Sequence, residues 1–277
     1  MSFQFFLPLL TYPDPAPGTG LMRALDFAAT LGGRVSAATQ VADIPPITNP
    51  LATAMLDTSS MAAAAEENSR KRGDALAQQA SSLAKRLSIE CESEPLVCRP
   101  DLIGDYMAEQ ARTCDYTLMP FDGKSGPHHV TAEALLFGSG GPVVLFPDTE
   151  AATHLESVAV AWDGGTSAAR AVRDALPVLR LAKKVTVLTV QADKAISLAR
   201  VSALLGFLKA HEVEATHIDQ ELHGEAVGDA LQARALAEDA GLLVMGAYGH
   251  SRLREFVLGG ATRSALAGTR LPVLLSH

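Results

Sequence analysis

Residues 241–263 read GLLVMGAYGHSRLREFVLGGATR, and residues 271–276 read LPVLLS. Leu242–Met245 is a short apolar run bounded by glycines, which predicts a buried strand. Gly246 and Gly249 follow it. Nine residues then separate Gly249 from Gly259, Gly260 stands next, and Thr262 opens a short helix. Glycines let a backbone approach a ligand closely, and a helix start leaves unpaired N–H groups that attract anions. The stretch is therefore a strand, a glycine-bearing loop, a helix and a last strand, Val273–Ser276.

Working back from it, apolar strands alternate with amphipathic helices. Ser157–Trp162 is a β-rich run ending in Asp163-Gly164-Gly165, and Ser167–Leu181 has helical spacing with Ala168, Val172, Ala175, Leu176 and Leu179 on one face. Strands are expected at Val185–Val190 and Ala215–Glu221, and helices at Ile196–Ala210, Val227–Ala240 and Thr262–Ala267. This alternation predicts an α/β fold, a parallel sheet covered on both faces with right-handed crossovers. The pattern leaves strand order open.

The plan occurs twice. Pro142–Phe146 stands to Pro272–Ser276 at an offset of 130, Asp115–Pro120 to Gly241–Gly246 at 126, and Arg34–Ser36 to Lys184–Thr186 at 150. Duplication accounts for this. The first half is longer between its second and fourth strands, where Ala42–Ser60 reads as an insert before a long helix, Met61–Leu87. Its strands are expected at Phe3–Leu10, Arg34–Val41, Ile89–Val97, Tyr116–Met119 and Val143–Phe146. Two domains follow, 1–147 and 157–277, joined by a polar linker at 148–156 that begins after Pro147.

The 277 residues suit two domains of this size, and 48% hydrophobic residues suffice for two cores. A net charge of −8 disfavours nucleic acid or an anionic membrane as partner. Three cysteines without disulfide spacing, Cys91, Cys98 and Cys114, read as reduced core thiols. Phe3–Leu10 lacks a preceding cationic stretch and reads as a strand rather than a signal peptide, and no apolar run is long enough to span a bilayer, so a cytoplasmic location is expected.

The glycine spacing resembles that of the universal stress protein family, whose nucleotide-binding members carry Gly-x2-Gly-x9-Gly-Ser/Thr between strand four and helix four. Gly246, Gly249 and Gly259 match it, and Gly260 fills the Ser/Thr place. The resemblance implies tandem doubly wound, Rossmann-like five-stranded parallel sheets of order 3-2-1-4-5, with the ligand at the carboxyl ends of strands one and four. It also implies that Ala161, Asp163 and Val190 line the base and ribose of ATP or a related adenine nucleotide. Met245, Gly246, Gly249, Gly259, Gly260 and Thr262 would surround ribose and phosphates. Magnesium would accompany a triphosphate, although no residue fixes it. His250, Arg252, Arg254 and Arg263, against Glu255, make this stretch locally cationic. In the first half the motif is lost. Pro120-Phe121-Asp122-Gly123 stands where Gly246–Gly249 stands in the second, Gly138–Gly141 reads as a helix-to-strand connection, and Thr11–Asp14 replaces the Asp163 region. That half is expected to be a degenerate, structural domain. The family's pairing through strand five implies that the two halves pair within the chain, with a homodimer open.

Other constellations are weaker. His128-His129 reads as a solvated loop pair, and Ser167 as a helix start. No Gly-x-Ser-x-Gly elbow, dinucleotide fingerprint or P-loop occurs. Two functions stay open: a stress-response or regulatory nucleotide-binding protein, and an interaction module of the same fold that binds no nucleotide. ATP hydrolysis is least supported, because no water-activating carboxylate is evident.

Overall fold

The computed structural model describes residues 2–45, 57–123, 126–149, 154–191, 196–247 and 260–277. It falls into two compact units, Met1–Asp122 with Gly126–Gly140, and a second that takes in Gly141–His277.

In the first unit the strands β1 (Phe3–Leu9), β2 (Gly33–Ala42), β3 (Glu90–Cys98) and β4 (Tyr116–Phe121) run in the order β3-β2-β1-β4, every pairing parallel. Helices α1 (Gly18–Leu31), α2 (Thr58–Leu87), α3 (Ile103–Ala111) and α4 (Pro127–Gly138) connect or flank them. Helices on both faces explain why β4 is buried along its whole length, whereas the outer strand β3 is mostly open or half-open. Phe3, Phe5, Phe27 and Tyr116 form an aromatic cluster with ring centroids 5.8–6.4 Å apart. Helix α2 begins where the Asp57 side chain accepts the Ser60 amide at 3.1 Å and ends at Ser88 in the left-handed conformation. It buries only one stripe, Ser69, Gly73, Leu76, Ala80 and Ala84.

In the second unit β6 (Ser157–Ala161), β7 (Lys184–Gln191), β8 (Ala215–Glu221), β9 (Leu242–Gly246) and β10 (Val273–Ser276) lie in the order β8-β7-β6-β9-β10, again parallel. This is the 3-2-1-4-5 order. Strand β5 (Val143–Pro147), counted with the first half by the repeat, groups in space with the second unit, where Val143–Leu145 pairs antiparallel with Val273–Leu275. The helix expected at Ser167–Leu181 is divided into α5 (Thr166–Asp174) and α6 (Leu176–Leu179), because Pro177 removes an amide donor after Ala175. Helix α7 is Leu198–Ala210. Helix α8 (Val227–Ala237) stops short of the expected Ala240, since Asp239 takes φ 55. Helix α9 is Gly260–Ala267. Among the described residues no helix is long and apolar enough to cross a membrane. The insert around Ala42–Ser60 and the linker at 148–156 lie in part outside the described residues.

Burial pushes the Cys91 and Cys98 thiols up to about 11, with Asp43 and Asp101 adding to the effect at Cys98, and raises that of Cys114. A raised folded value keeps the thiol protonated at neutral pH, and the associated stability is lost only as pH climbs from about 9 toward 11. We therefore expect iodoacetamide at pH 8 to label Cys91 and Cys98 about 100-fold more slowly in the native chain than in urea. Equal rates in the two conditions would refute this.

Candidate functional site

The winding of the second unit reverses at β6, which lies between β7 and β9. At such a point two crossovers leave in opposite directions, and their connections diverge to open a crevice at the carboxyl ends of the strands. Ala161 closes β6 and is buried, and the Trp162 amide extends the pairing by donating to the Leu188 carbonyl at 2.8 Å. Val190, two residues further along β7, is half-buried. Asp163 is exposed, and its Oδ1 accepts the Gly165 amide at 2.7 Å, shaping the entry to α5. Met245 is buried and Gly246 ends β9. Beyond it, the Ala247 amide donates to the Ser276 carbonyl at 2.8 Å.

Gly246 has a structural role of its own. A β-carbon there would overlap the Ala168 backbone nitrogen and come within 2.5 Å of the Ser167 carbonyl carbon. The first turn of α5 thus rests directly on the end of β9, and only glycine permits that approach. Sequence reasoning gave this glycine to a ligand; helix packing accounts for it without one. Helix α9 begins at Gly260, and Thr262 is buried in its first turn. Ser264 ties α9 to α8 by accepting the Gly228 amide at 3.1 Å. Gly249, Gly259, His250, Arg252, Arg254 and Glu255 lie outside the described residues, while Arg263 is exposed on α9. The structure therefore brings Ala161, Asp163, Val190, Met245 and Gly246 to the ends of three adjacent strands. Among the described residues no group of three or more His, Cys, Asp or Glu side chains could hold a metal ion.

The matching end of the first unit is filled by its own side chains. The Thr11 amide donates to Gln40 Oε1 at 3.0 Å and its hydroxyl to the Gln40 carbonyl at 2.8 Å. Ser69 reaches in from α2, 2.7 Å from the Thr11 hydroxyl, and accepts the Ala42 amide at 2.9 Å. Arg72, one turn further, donates to the carbonyls of Thr11 and Pro13. The loop after β1 is thereby pinned to β2 and α2. Sequence reasoning missed Gln40, Ser69 and Arg72. The available signal was a glutamine between Thr39 and Val41 late in β2, and a serine four residues before Gly73 on the α2 stripe. His128 needs correction as well. It is not a solvated loop residue but the second residue of α4, 3% exposed, with Nε2 3.5 Å from the Asp14 carbonyl and Nδ1 3.8 Å from Asp122. His129 is partly covered and lies 3.3 Å from Glu133. Helix α4 starts at Pro127, earlier than the motif suggested, and carries both histidines out of the loop.

These features define a doubly wound α/β domain with a glycine-bearing switch point at the end of its fourth strand. Residues 154–277 match the model of the universal stress protein family. A universal stress protein from Archaeoglobus fulgidus is similar to the whole chain, at 16% identity and a TM-score of 0.69, covering 98% of this chain and 97% of its own. A putative universal stress protein from Pseudomonas aeruginosa is 16% identical with a TM-score of 0.59, covering 99% and 93%. At such identities the likeness is one of fold. No curated protein matches the chain.

Proposed function

We propose that the chain is a cytoplasmic stress-response or regulatory protein whose second half binds ATP or another adenine nucleotide, with the first half as its structural partner. The observation that carries this reading is the meeting of Ala161, Asp163, Val190 and Met245 at the strand-order reversal, in a chain whose next helix starts at Gly260, at the end of the Gly-x2-Gly-x9-Gly spacing. The strand ends supply an apolar wall for a base, Asp163 an exposed acceptor for a hydroxyl, and the start of α9 backbone amides and the positive end of a dipole for phosphate. The rival reading, an interaction module without nucleotide, draws support from Gly246, whose glycine the packing of α5 already requires.

Acid extraction of the purified protein, followed by chromatography for copurified nucleotide, and calorimetry with millimolar ATP distinguish the two. We expect one adenine nucleotide per chain. Gly260→Ser, which restores the family's hydroxyl at the start of α9, is expected to tighten ATP several-fold, since a hydrogen bond to a charged group contributes about 1.5–3 kcal/mol. Absence of both heat and copurified nucleotide would favour the module, and unchanged affinity of the serine variant would move the phosphate away from Gly260.

We also propose that the two halves associate through their fifth strands. An apolar strand with unpaired backbone groups needs a cover. The antiparallel register supports the idea: Leu274 pairs with Val144, its own counterpart at the repeat offset of 130, with Val273–Leu145 and Leu275–Val143 disposed equally on either side. A self-complementary register of this kind is what a twofold contact between duplicated elements produces. Halves expressed separately are expected to recombine one to one, and halves that stay apart at micromolar concentration would argue against the pairing.

A further inference from the structure

Between α5 and α7 the second unit holds a cavity of about 380 Å³, lined by Trp162, Ala169, Val172, Arg173, Arg200, Leu204 and Phe207 among others. Its volume is within the range of small-molecule sites. It is lined by none of the residues assigned above to the nucleotide, so it goes beyond that reading. Three features give it a specific chemistry. Its walls are largely apolar, with the Trp162 indole and the Phe207 ring as the largest surfaces. Two arginines line it in a chain of net charge −8, and among the described residues no carboxylate lines it and neither arginine has a salt bridge. The Arg173 guanidinium lies 5.6 Å from the Phe207 ring centroid and donates to the Ala169 carbonyl at 3.2 Å, which holds it over the aromatic wall. Arg200 packs against Gly164, where a β-carbon would sit 3.4 Å from its Cδ. Finally, the Trp162 Nε1 is buried without a hydrogen-bond partner among the described residues, a donor that is costly to leave unmatched.

We propose that this cavity is a binding site for a small amphipathic carboxylate, whose apolar body lies against Trp162, Val172, Leu204 and Phe207. The carboxylate is taken by Arg173 and Arg200, with the indole N–H as a third donor. An uncharged apolar molecule would leave the two guanidinium groups and the indole unanswered. A cation would be repelled.

Trp162 is the chain's single tryptophan, so its emission reports on this cavity directly. The full-length protein is titrated with sodium octanoate, with octan-1-ol and with octyltrimethylammonium, each followed by fluorescence and by calorimetry. Octanoate is expected to give a saturable change in emission, octanol to bind about tenfold more weakly or less, and the ammonium not at all. Arg200→Gln and Arg173→Gln are each expected to weaken octanoate about tenfold, and Trp162→Phe, read by calorimetry, several-fold. Octanoate binding is expected to persist in ATP-saturated protein, and also if the chain binds no ATP at all. Octanol binding as tightly as octanoate would make the cavity a plain apolar hollow and overturn the proposal. The same holds if octanoate gives neither signal, or if ATP displaces it, which would make the cavity part of the nucleotide crevice.

Discussion

Gly246→Val is expected to destabilise the second unit before it removes any ligand. The new branched side chain would project into the backbone of Ser167 and Ala168, where neither atom belongs to a flexible side chain that could swing away. Relief requires lifting the first turn of α5 off β9, which disrupts the packing of the buried residues Ser167, Ala168, Ala171 and Val172. Overpacking of this kind costs about 1–3 kcal/mol and more where backbone must move, so we expect a loss of about 3 kcal/mol and a fall in Tm of about 10 °C. Gly246→Ala should show most of the effect, since the first β-carbon already makes the clash. Urea unfolding of both variants, read alongside ATP calorimetry, separates the two roles of this glycine. If Gly246→Ala kept full stability while losing nucleotide, the packing account would be wrong and the ligand account right.

Phe5→Ala is the expected counterpart in the first unit. Phe5 is fully buried in β1, and its ring meets those of Phe3, Phe27 and Tyr116. Removing it leaves a cavity between β1, β4 and α1 that three neighbouring rings cannot collapse to fill, for a cost of about 3–5 kcal/mol. Because the matching crevice in this unit is occupied by Thr11, Gln40, Ser69 and Arg72, nucleotide stoichiometry and affinity are expected to stay as in the parent chain under conditions where the variant is folded. Two-probe denaturation with calorimetry at 15 °C tests both parts. A loss below about 1 kcal/mol would mean that the aromatic cluster is not the core of this unit. A halved stoichiometry would mean that the first unit binds nucleotide too.

The comparison between α2 and α5 shows what limits a reading by periodicity. Both were recognisable as helices from the spacing of their small and apolar residues. The break between α5 and α6 turns on Pro177, whose missing donor matters only once the helix's hydrogen-bond ladder is laid out. His128 is the sharper case. Two histidines beside a glycine and a proline look like a polar loop, but the helix begins at Pro127 and turns the first of them inward. Gln40 and Ser69 escaped notice because they are far apart in the chain and meet only through Thr11.

By itself the sequence determined the α/β alternation, the duplication, nearly all the strands and the glycine spacing after β9, because each depends on local periodicity or on an offset that can be counted. Tertiary structure decided the rest. It grouped β5 with β10, filled the crevice of the first unit with a polar network, and gave Gly246 a packing role. It also placed Trp162, Arg173, Arg200 and Phe207 around one cavity. In each of these the deciding contact joins residues from different elements, and its energy comes from close approach and exclusion of water, neither of which leaves a period along the chain.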